Sequence, residues 1–101
     1  MQLSPLPFSA ALADAKTVLL AGCGGGYDIF GGLPLYFALQ NAGKTVHLAN
    51  LSFTTIYATN GQRIGEALVK VTHTTTGSTR YFPESHLCLW FHMRGEEIPV
   101  Y

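Results

Sequence analysis

Three apolar stretches of the chain have the length and composition of β-strands. Residues 16–23 form a run that is apolar on both faces, as in the central strands of parallel sheets. Residues 45–53 predict a second strand, whose apolar positions are Val46, Leu48, Leu51 and Phe53. Residues 98–101 have the composition of the start of a third strand.

A helix is predicted between the first two strands, over residues 33–42. Pro34 suits its first turn, Gly43 suits the position after its last residue, and Lys44 follows its negative end. The segment is apolar nearly all round, so we expect it to be buried on more than one side. A helix that begins near Tyr27 and kinks at Pro34 is the alternative.

A second helix is predicted from Pro83 and Glu84, which suit a positive helix end, to Gly95, which suits a helix stop. Before the first strand, Phe8 and Leu12 share a helical face at i, i+4 and predict a short helix. The body of the later helix is apolar at Leu87, Leu89, Trp90, Phe91 and Met93.

The region between the second strand and the later helix has weaker signals. Residues 54–61 are polar and turn-like. Residues 62–70 predict a short helix, although Gly65 weakens it. Residues 71–79 are rich in threonine and predict either an irregular loop or a poor strand.

The resulting order, strand-helix-strand-helix-strand, predicts an α/β fold with a Rossmann-like parallel sheet. Because the last strand has only begun at residue 101, we expect half of a larger doubly wound fold. Residues 1–101 are then the N-terminal segment of a single domain that continues in a longer protein.

Composition adds an expectation about what covers this domain. The chain has 101 residues, of which 48% are hydrophobic and only 12% charged, about half the usual charged share of roughly 25%. We therefore expect further chain or a homo-oligomer partner to cover part of the surface. Zero net charge with scattered basic residues argues against nucleic acid or an acidic membrane as a partner.

Two cysteines do not form a disulfide framework, and no apolar run reaches the roughly 18 residues of a membrane span, so a cytoplasmic location is predicted. Residues 19–23 match a lipoprotein cleavage box ending in Cys23. However, no basic residue precedes Lys16, and Asp14 interrupts the region where an apolar centre belongs. The cytoplasmic strand is the favoured interpretation.

Four glycines lie within residues 22–26, at the end of the first strand. In parallel sheets, ligands sit beyond the carboxyl ends of the strands, where glycines let backbone N–H groups approach an anion. The pattern lacks the Gly-Lys-Ser/Thr of a P-loop and is a poor dinucleotide fingerprint, since no acidic residue ends the second strand. A nucleotide or another phosphate-bearing molecule is the expected ligand. The candidate ligand-binding residues are Gly22, Gly24, Gly25, Gly26, Tyr27, Asp28, Asn50 and Ser52.

Asp28 is the carboxylate next to these glycines and the candidate catalytic residue. It suits a metal ligand, a ribose-binding group or a general base, and equally a carboxylate that stabilises a helix N-terminus. Cys23 is interpreted as a small buried cysteine rather than an activated thiolate.

No metal site is predicted among the histidines and cysteines. Cys88 and His92 share a helical face at i, i+4, but His86 points elsewhere and no second ligand pair follows. A core cysteine flanked by surface histidines is the favoured interpretation. The two remaining histidines, His47 and His73, have no evident partners.

Two long motifs, residues 22–35 (GCGGGYDIFGGLPL) and residues 48–53 (LANLSF), resemble the start of the domain of unknown function 1152 family. The segments at 81–84 and 99–101 are also similar to it, so the resemblance covers nearly the whole chain. It implies a protein about three times longer, with further glycine- and aspartate-rich motifs downstream. It implies no established activity.

Three functions follow as hypotheses. The first is a Rossmann-like segment whose glycine loop binds a nucleotide or another anionic small molecule. The second is a metal-assisted hydrolase or transferase that uses Asp28 together with residues outside this chain. The third is a non-catalytic subunit that pairs with another chain through an exposed sheet edge.

Overall fold

The computed structural model of the chain describes residues 9–77 and 81–101, so the predicted contact of Phe8 lies outside the described residues. The chain is a mixed α/β protein with a small parallel sheet and an antiparallel strand pair. Its elements are helix α1 (Ser9–Leu12), strand β1 (Thr17–Gly22), helix α2 (Gly25–Gly31), helix α3 (Leu33–Asn41), strand β2 (Thr45–Asn50), a 3₁₀ helix (Ile56–Ala58), strands β3 (Gln62–Gly65) and β4 (Leu68–Lys70), and helix α4 (Pro83–Met93).

Strands β1 and β2 pair in parallel, as predicted, in a register that runs from Thr17 opposite Thr45 to Gly22 opposite Asn50. Helices α2 and α3 make the connection between them. The predicted third strand adds one bridge beside β2. There Val100 lies parallel to Leu48, and the Tyr101 N–H donates to the Leu48 carbonyl at 3.0 Å.

The expectation that β1 is buried on both faces is wrong. Its residues alternate between exposed and half-buried, and the Leu19 side chain is 65% exposed. The reason is that the helices pack on one face of the sheet. In the part of the chain that the structure describes, β1 also has β2 as its single strand neighbour.

The helix predicted over residues 62–70 is also wrong, because this segment forms an antiparallel hairpin of β3 and β4. Gly65 costs about 1 kcal/mol in a helix, whereas in the hairpin it lies opposite Leu68 beside the turn. Pairing also buries Val69, which lies opposite Arg63. The Arg63 guanidinium donates to the Glu66 carbonyl at 3.0 Å and stabilises the turn.

The apolar segment after the glycines forms two helices, α2 and α3, which meet at Gly32. Neither predicted start was therefore correct, although an interruption just before Pro34 had been one alternative. Gly43 follows α3 with a φ of +82°, as expected of a helix stop. Lys44 donates to the carbonyls of Leu12 and Ala15 at 2.7 and 2.6 Å, so it ties the end of α1 to α3.

The core lies between the helices and the covered face of β2. Val46 and Leu48 of β2 are buried, and the Tyr36 and Phe91 rings pack edge to face with centroids 5.4 Å apart. Helix α4 agrees with its prediction at both ends: Pro83 begins it, and Gly95 follows it with a φ of +83°. None of the helices within residues 9–77 and 81–101 is long and apolar enough to cross a membrane.

Candidate functional site

The glycines lie at the carboxyl ends of the two parallel strands. Gly22 ends β1 and is paired with Asn50, which ends β2. The loop is shorter than predicted, because only two residues separate β1 from α2 and Gly25 already begins that helix. Gly24 and Gly25 have φ angles of +142° and +74°, which explains their identity, since other residues are strained there.

Side chains of the protein itself approach these glycines closely. A Cβ atom on Gly24 would lie 2.8 Å from the Phe53 ring, and one on Gly22 would lie 2.3 Å from the Asn50 Oδ1 atom. Both contacts are too short for any side chain. Part of the glycine pattern is therefore explained by packing between the loop and the residues that end and follow β2.

Tyr81 is a site residue that the sequence analysis did not identify. Its hydroxyl accepts a hydrogen bond from the Gly26 N–H at 2.6 Å, and its carbonyl accepts one from the Thr54 hydroxyl. No local pattern signals these contacts, because Tyr81 lies far from both partners in the sequence. The first N–H groups of a helix lack partners within the helix, and here a side-chain oxygen satisfies one of them.

Glu84 and Asn50 form a buried polar pair beneath the glycine loop. The Asn50 Nδ2 atom donates to Glu84 Oε2 at 2.8 Å and to the Gly25 carbonyl at 3.3 Å. Glu84 is only 2% exposed, and its Oε1 atom and the Asn50 Oδ1 atom are buried without a hydrogen-bond partner in the described part of the chain. Glu84 had been expected only to suit the positive end of α4, a position it does occupy.

An open groove lies between α2 and α4 and has a volume of about 540 Å³. We call it the aromatic groove. Its lining residues are Gly26, Tyr27, Phe30, Tyr81, Phe82, Pro83 and His86.

A second hollow, of about 390 Å³, lies between the end of β2 and the β3–β4 hairpin. Asn50, Ser52 and Glu84 line it. The structure therefore does not gather the predicted binding residues in one cavity: Gly26 and Tyr27 line the aromatic groove, while Asn50 and Ser52 line the hairpin-side hollow.

Asp28, the candidate catalytic residue, is exposed in the first turn of α2 and lines neither hollow. Its position agrees with a carboxylate that stabilises a helix N-terminus. Tyr27 is almost fully exposed beside the groove. The Ser52 hydroxyl accepts a hydrogen bond from the Thr54 N–H at 3.1 Å, which shapes the turn after β2.

The two cysteines differ in environment. Cys23 is exposed, so its predicted burial is wrong, whereas Cys88 is a buried core residue as expected. The Cys88 thiol donates to the Val71 carbonyl at 3.3 Å. Burial raises its pKa to about 12, so it stays protonated at neutral pH.

The absence of a predicted partner for His73 is corrected by the structure. The Nδ1 atoms of His73 and His92 lie 2.8 and 2.5 Å from the two carboxylate oxygens of Glu97. The hydrogen bond with His92 is the main reason that the pKa of Glu97 is lowered, with the charges of both histidines adding to it. Sequence spacing does not signal this cluster, since His73 belongs to a distant turn.

Comparisons with protein-family models, curated proteins and solved structures gave no match. The resemblance to the domain of unknown function 1152 family therefore stays a prediction.

Proposed function

We propose that the aromatic groove binds a nucleotide or a similar anionic small molecule that carries a flat ring. The observation that carries the proposal is the groove itself, which lies at the carboxyl end of β1 beside the glycines. Its volume of about 540 Å³ falls within the roughly 300–1,000 Å³ typical of small-molecule sites. Ligands of parallel α/β sheets bind at this end of the strands.

The walls of the groove favour a ring. Tyr27, Phe30 and Tyr81 supply aromatic surface, and all three are exposed to some degree rather than consumed by the core. Aromatic pairs contribute about 0.5–1.5 kcal/mol beyond the area that they bury. A purine or a similar flat group could therefore gain affinity from several of these contacts at once.

The polar groups of the groove favour an anionic substituent. The Gly26 N–H already binds an oxygen, the Tyr81 hydroxyl, so it is directed at a position where a ligand oxygen could replace it. His86 is exposed at the same groove and can donate to a phosphate. Because the carboxylates of Asp28 and Glu84 belong to the same two helices, we expect a monophosphate to bind better than a triphosphate.

The Rossmann-like architecture is part of this proposal. The parallel pair of β1 and β2, joined by helices and followed by the parallel bridge at Val100, is consistent with half of a doubly wound sheet. The open face of β1 is then covered by further chain or by a second copy. The cytoplasmic location stays a prediction.

Binding is tested by titrating the isotopically labelled chain with adenosine monophosphate and following the backbone amide resonances. Phe30→Ser should weaken binding at least tenfold, because it removes a wall of the groove. Leu89→Ser is the matched control, since Leu89 is similarly exposed, at 44% against 39% for Phe30, and does not line the groove. Equal affinities of the two variants, or no saturable shifts in the wild type, would refute the proposal.

Pairing through the free edge of β1 is a second candidate function. The Gly22 carbonyl accepts from the Leu51 N–H at 3.0 Å, so in a parallel ladder the backbone groups of Leu19 and Ala21 face away from β2. An exposed apolar edge of this kind favours pairing with another chain. Sedimentation should show an oligomer that Leu19→Lys dissociates and that Met93→Lys, on the exposed side of α4, does not. A monomeric wild type would exclude it.

The enzyme hypothesis has less support. It depended on Asp28, which is exposed and lies outside both hollows. The experiment that separates binding from catalysis is Asp28→Asn: retained nucleotide binding with lost turnover would favour an enzyme.

A further inference from the structure

Three side chains that suit a metal ion converge on the side of the molecule where α4 ends. The donor atoms of His73, His92 and Glu97 all lie within 4.8 Å of one another. Two imidazole nitrogens and one carboxylate form the donor set of many catalytic zinc centres. This cluster lines none of the aromatic groove, so it is independent of the proposed nucleotide site.

The fold itself brings the three residues together. His92 lies in the last turn of α4, and Gly95, with a φ of +83°, reverses the chain after it. The Glu96 N–H then donates to the Phe91 carbonyl at 3.0 Å, which returns Glu97 to the side of His92.

The opposite side of the cluster is fixed by a backbone bridge. Val71 and Val100 exchange two hydrogen bonds of 2.8 and 3.0 Å, so the turn that carries His73 is held against the segment that carries Glu97. Each of the three donors is therefore positioned by backbone contacts rather than by a free loop.

The electrostatics of the cluster also favour a cation between its members. The two imidazole rings are stacked, with centroids 3.8 Å apart and an interplanar angle of 6°, and both direct Nδ1 at one carboxylate. Two protonated imidazoles at this separation would repel each other, and one carboxylate carries a single compensating charge. A divalent ion bound by neutral imidazoles removes that repulsion and gives all three side chains one partner.

We propose that His73, His92 and Glu97 bind a divalent transition-metal ion, with Zn²⁺ as the preferred ion. Imidazole ligands suit Zn²⁺ and similar ions, whereas Mg²⁺ and Ca²⁺ prefer oxygen donors. In a tetrahedral zinc site with bonds of roughly 2.0–2.2 Å, donor atoms lie about 3.3 Å apart. Small side-chain movements are enough to reach this spacing. All three side chains are partly exposed, so the ion can enter from solvent, and a water molecule completes its coordination.

Cys88 is not part of the donor set. It lines a small hollow of about 120 Å³ together with His73 and Glu97. Its thiol is buried and hydrogen-bonded to the Val71 carbonyl.

The test is calorimetric titration of the tag-free, metal-free chain with Zn²⁺, followed by visible absorption with Co²⁺ as a spectroscopic probe. One ion per chain and a tetrahedral Co²⁺ spectrum are expected. His92→Ala and Glu97→Gln should each weaken Zn²⁺ binding at least tenfold. His86→Ala is the control, because His86 is exposed on the same helix and outside the cluster, and it should change affinity less than twofold.

Circular dichroism of each variant establishes that it is folded, and the ring resonances of His73 should shift with Zn²⁺ in the wild type and in His86→Ala. The absence of saturable binding would overturn the proposal. So would equal losses in His86→Ala and His92→Ala, or a Glu97→Gln variant that binds as tightly as the wild type.

Discussion

Replacing Glu84 by Gln should increase the stability of the fold, although it alters a fully buried and hydrogen-bonded residue. The carboxylate is 2% exposed and accepts one hydrogen bond, from Asn50, while its second oxygen has no partner in the described residues. A buried charge costs several kcal/mol when its hydrogen bonds are incomplete. A neutral amide of the same shape avoids most of that cost.

The compensating terms are smaller than this cost. A hydrogen bond to a charged group contributes about 1.5–3 kcal/mol, and the glutamine oxygen would retain about 1 kcal/mol of it. The position of Glu84 in the first turn of α4 adds about 0.3–1 kcal/mol of helix-dipole stabilisation, which is lost with the charge. The net expectation for Glu84→Gln is an increase of about 1 kcal/mol in the free energy of unfolding.

Thermal and urea denaturation at pH 7 measure this difference. For a chain of this size, 1 kcal/mol raises Tm by about 4–8 °C. Glu66→Gln is the control, because Glu66 is exposed in the turn between β3 and β4, and a surface change stays within about 0.5 kcal/mol. A loss of more than 1 kcal/mol in Glu84→Gln would refute the reasoning, since it would mean that the charge is well paired and holds Asn50 and the glycine loop in place.

Further predictions concern the thiols, two glycines and the aromatic core. At pH 8, thiol titration with Ellman's reagent should detect one fast thiol per native chain, the exposed Cys23, and two after denaturation; equal native rates would contradict the burial of Cys88. Because folding raises the pKa of Cys88 from its usual value of about 9 to about 12, its contribution to stability is complete below pH 9 and is lost as pH rises towards 12; urea denaturation of wild type and Cys88→Ala across this range should show a steeper loss in the wild type. Gly61→Ala should cost about 1–3 kcal/mol, because its Cβ would lie 2.6 Å from a side-chain carbon of the hairpin, whereas Gly31→Ala meets nothing within 4 Å and should be neutral or stabilising by up to about 1 kcal/mol; a reversed order in denaturation would contradict this packing. Phe91→Ala, at a fully buried position, should lower the free energy of unfolding by about 3–5 kcal/mol; a loss below 1 kcal/mol would mean that the aromatic core is not formed.

Elements with strong local signals were predictable from the sequence. Helix α4 follows from Pro83 at its start and Gly95 beyond its end, since both residues act through their own backbone preferences. The parallel pairing of β1 and β2 follows from two apolar runs joined by a helical segment. Local signals failed for residues 62–70, because the pairing that buries Val69 is a contact between strands.

The candidate site was predictable only where it depends on backbone conformation. The positive φ angles of Gly24 and Gly25 agree with a tight connection after a strand. The hydrogen bond between Gly26 and Tyr81 and the cluster around Glu97 join residues that are distant in the sequence or separated by a chain reversal. Such contacts depend on tertiary packing and leave no periodic pattern.

Intermolecular nuclear Overhauser effects between adenosine monophosphate and the protein test the proposed nucleotide site most directly. With the ligand near saturation, the base protons should show contacts to the rings of Tyr27, Phe30 and Tyr81, which line the groove. The amide resonance of Gly26 should shift at the same time, because the ligand competes for the hydrogen bond that this N–H donates to Tyr81. A bound nucleotide whose base contacts none of these rings, or no binding at millimolar concentration, would contradict the account.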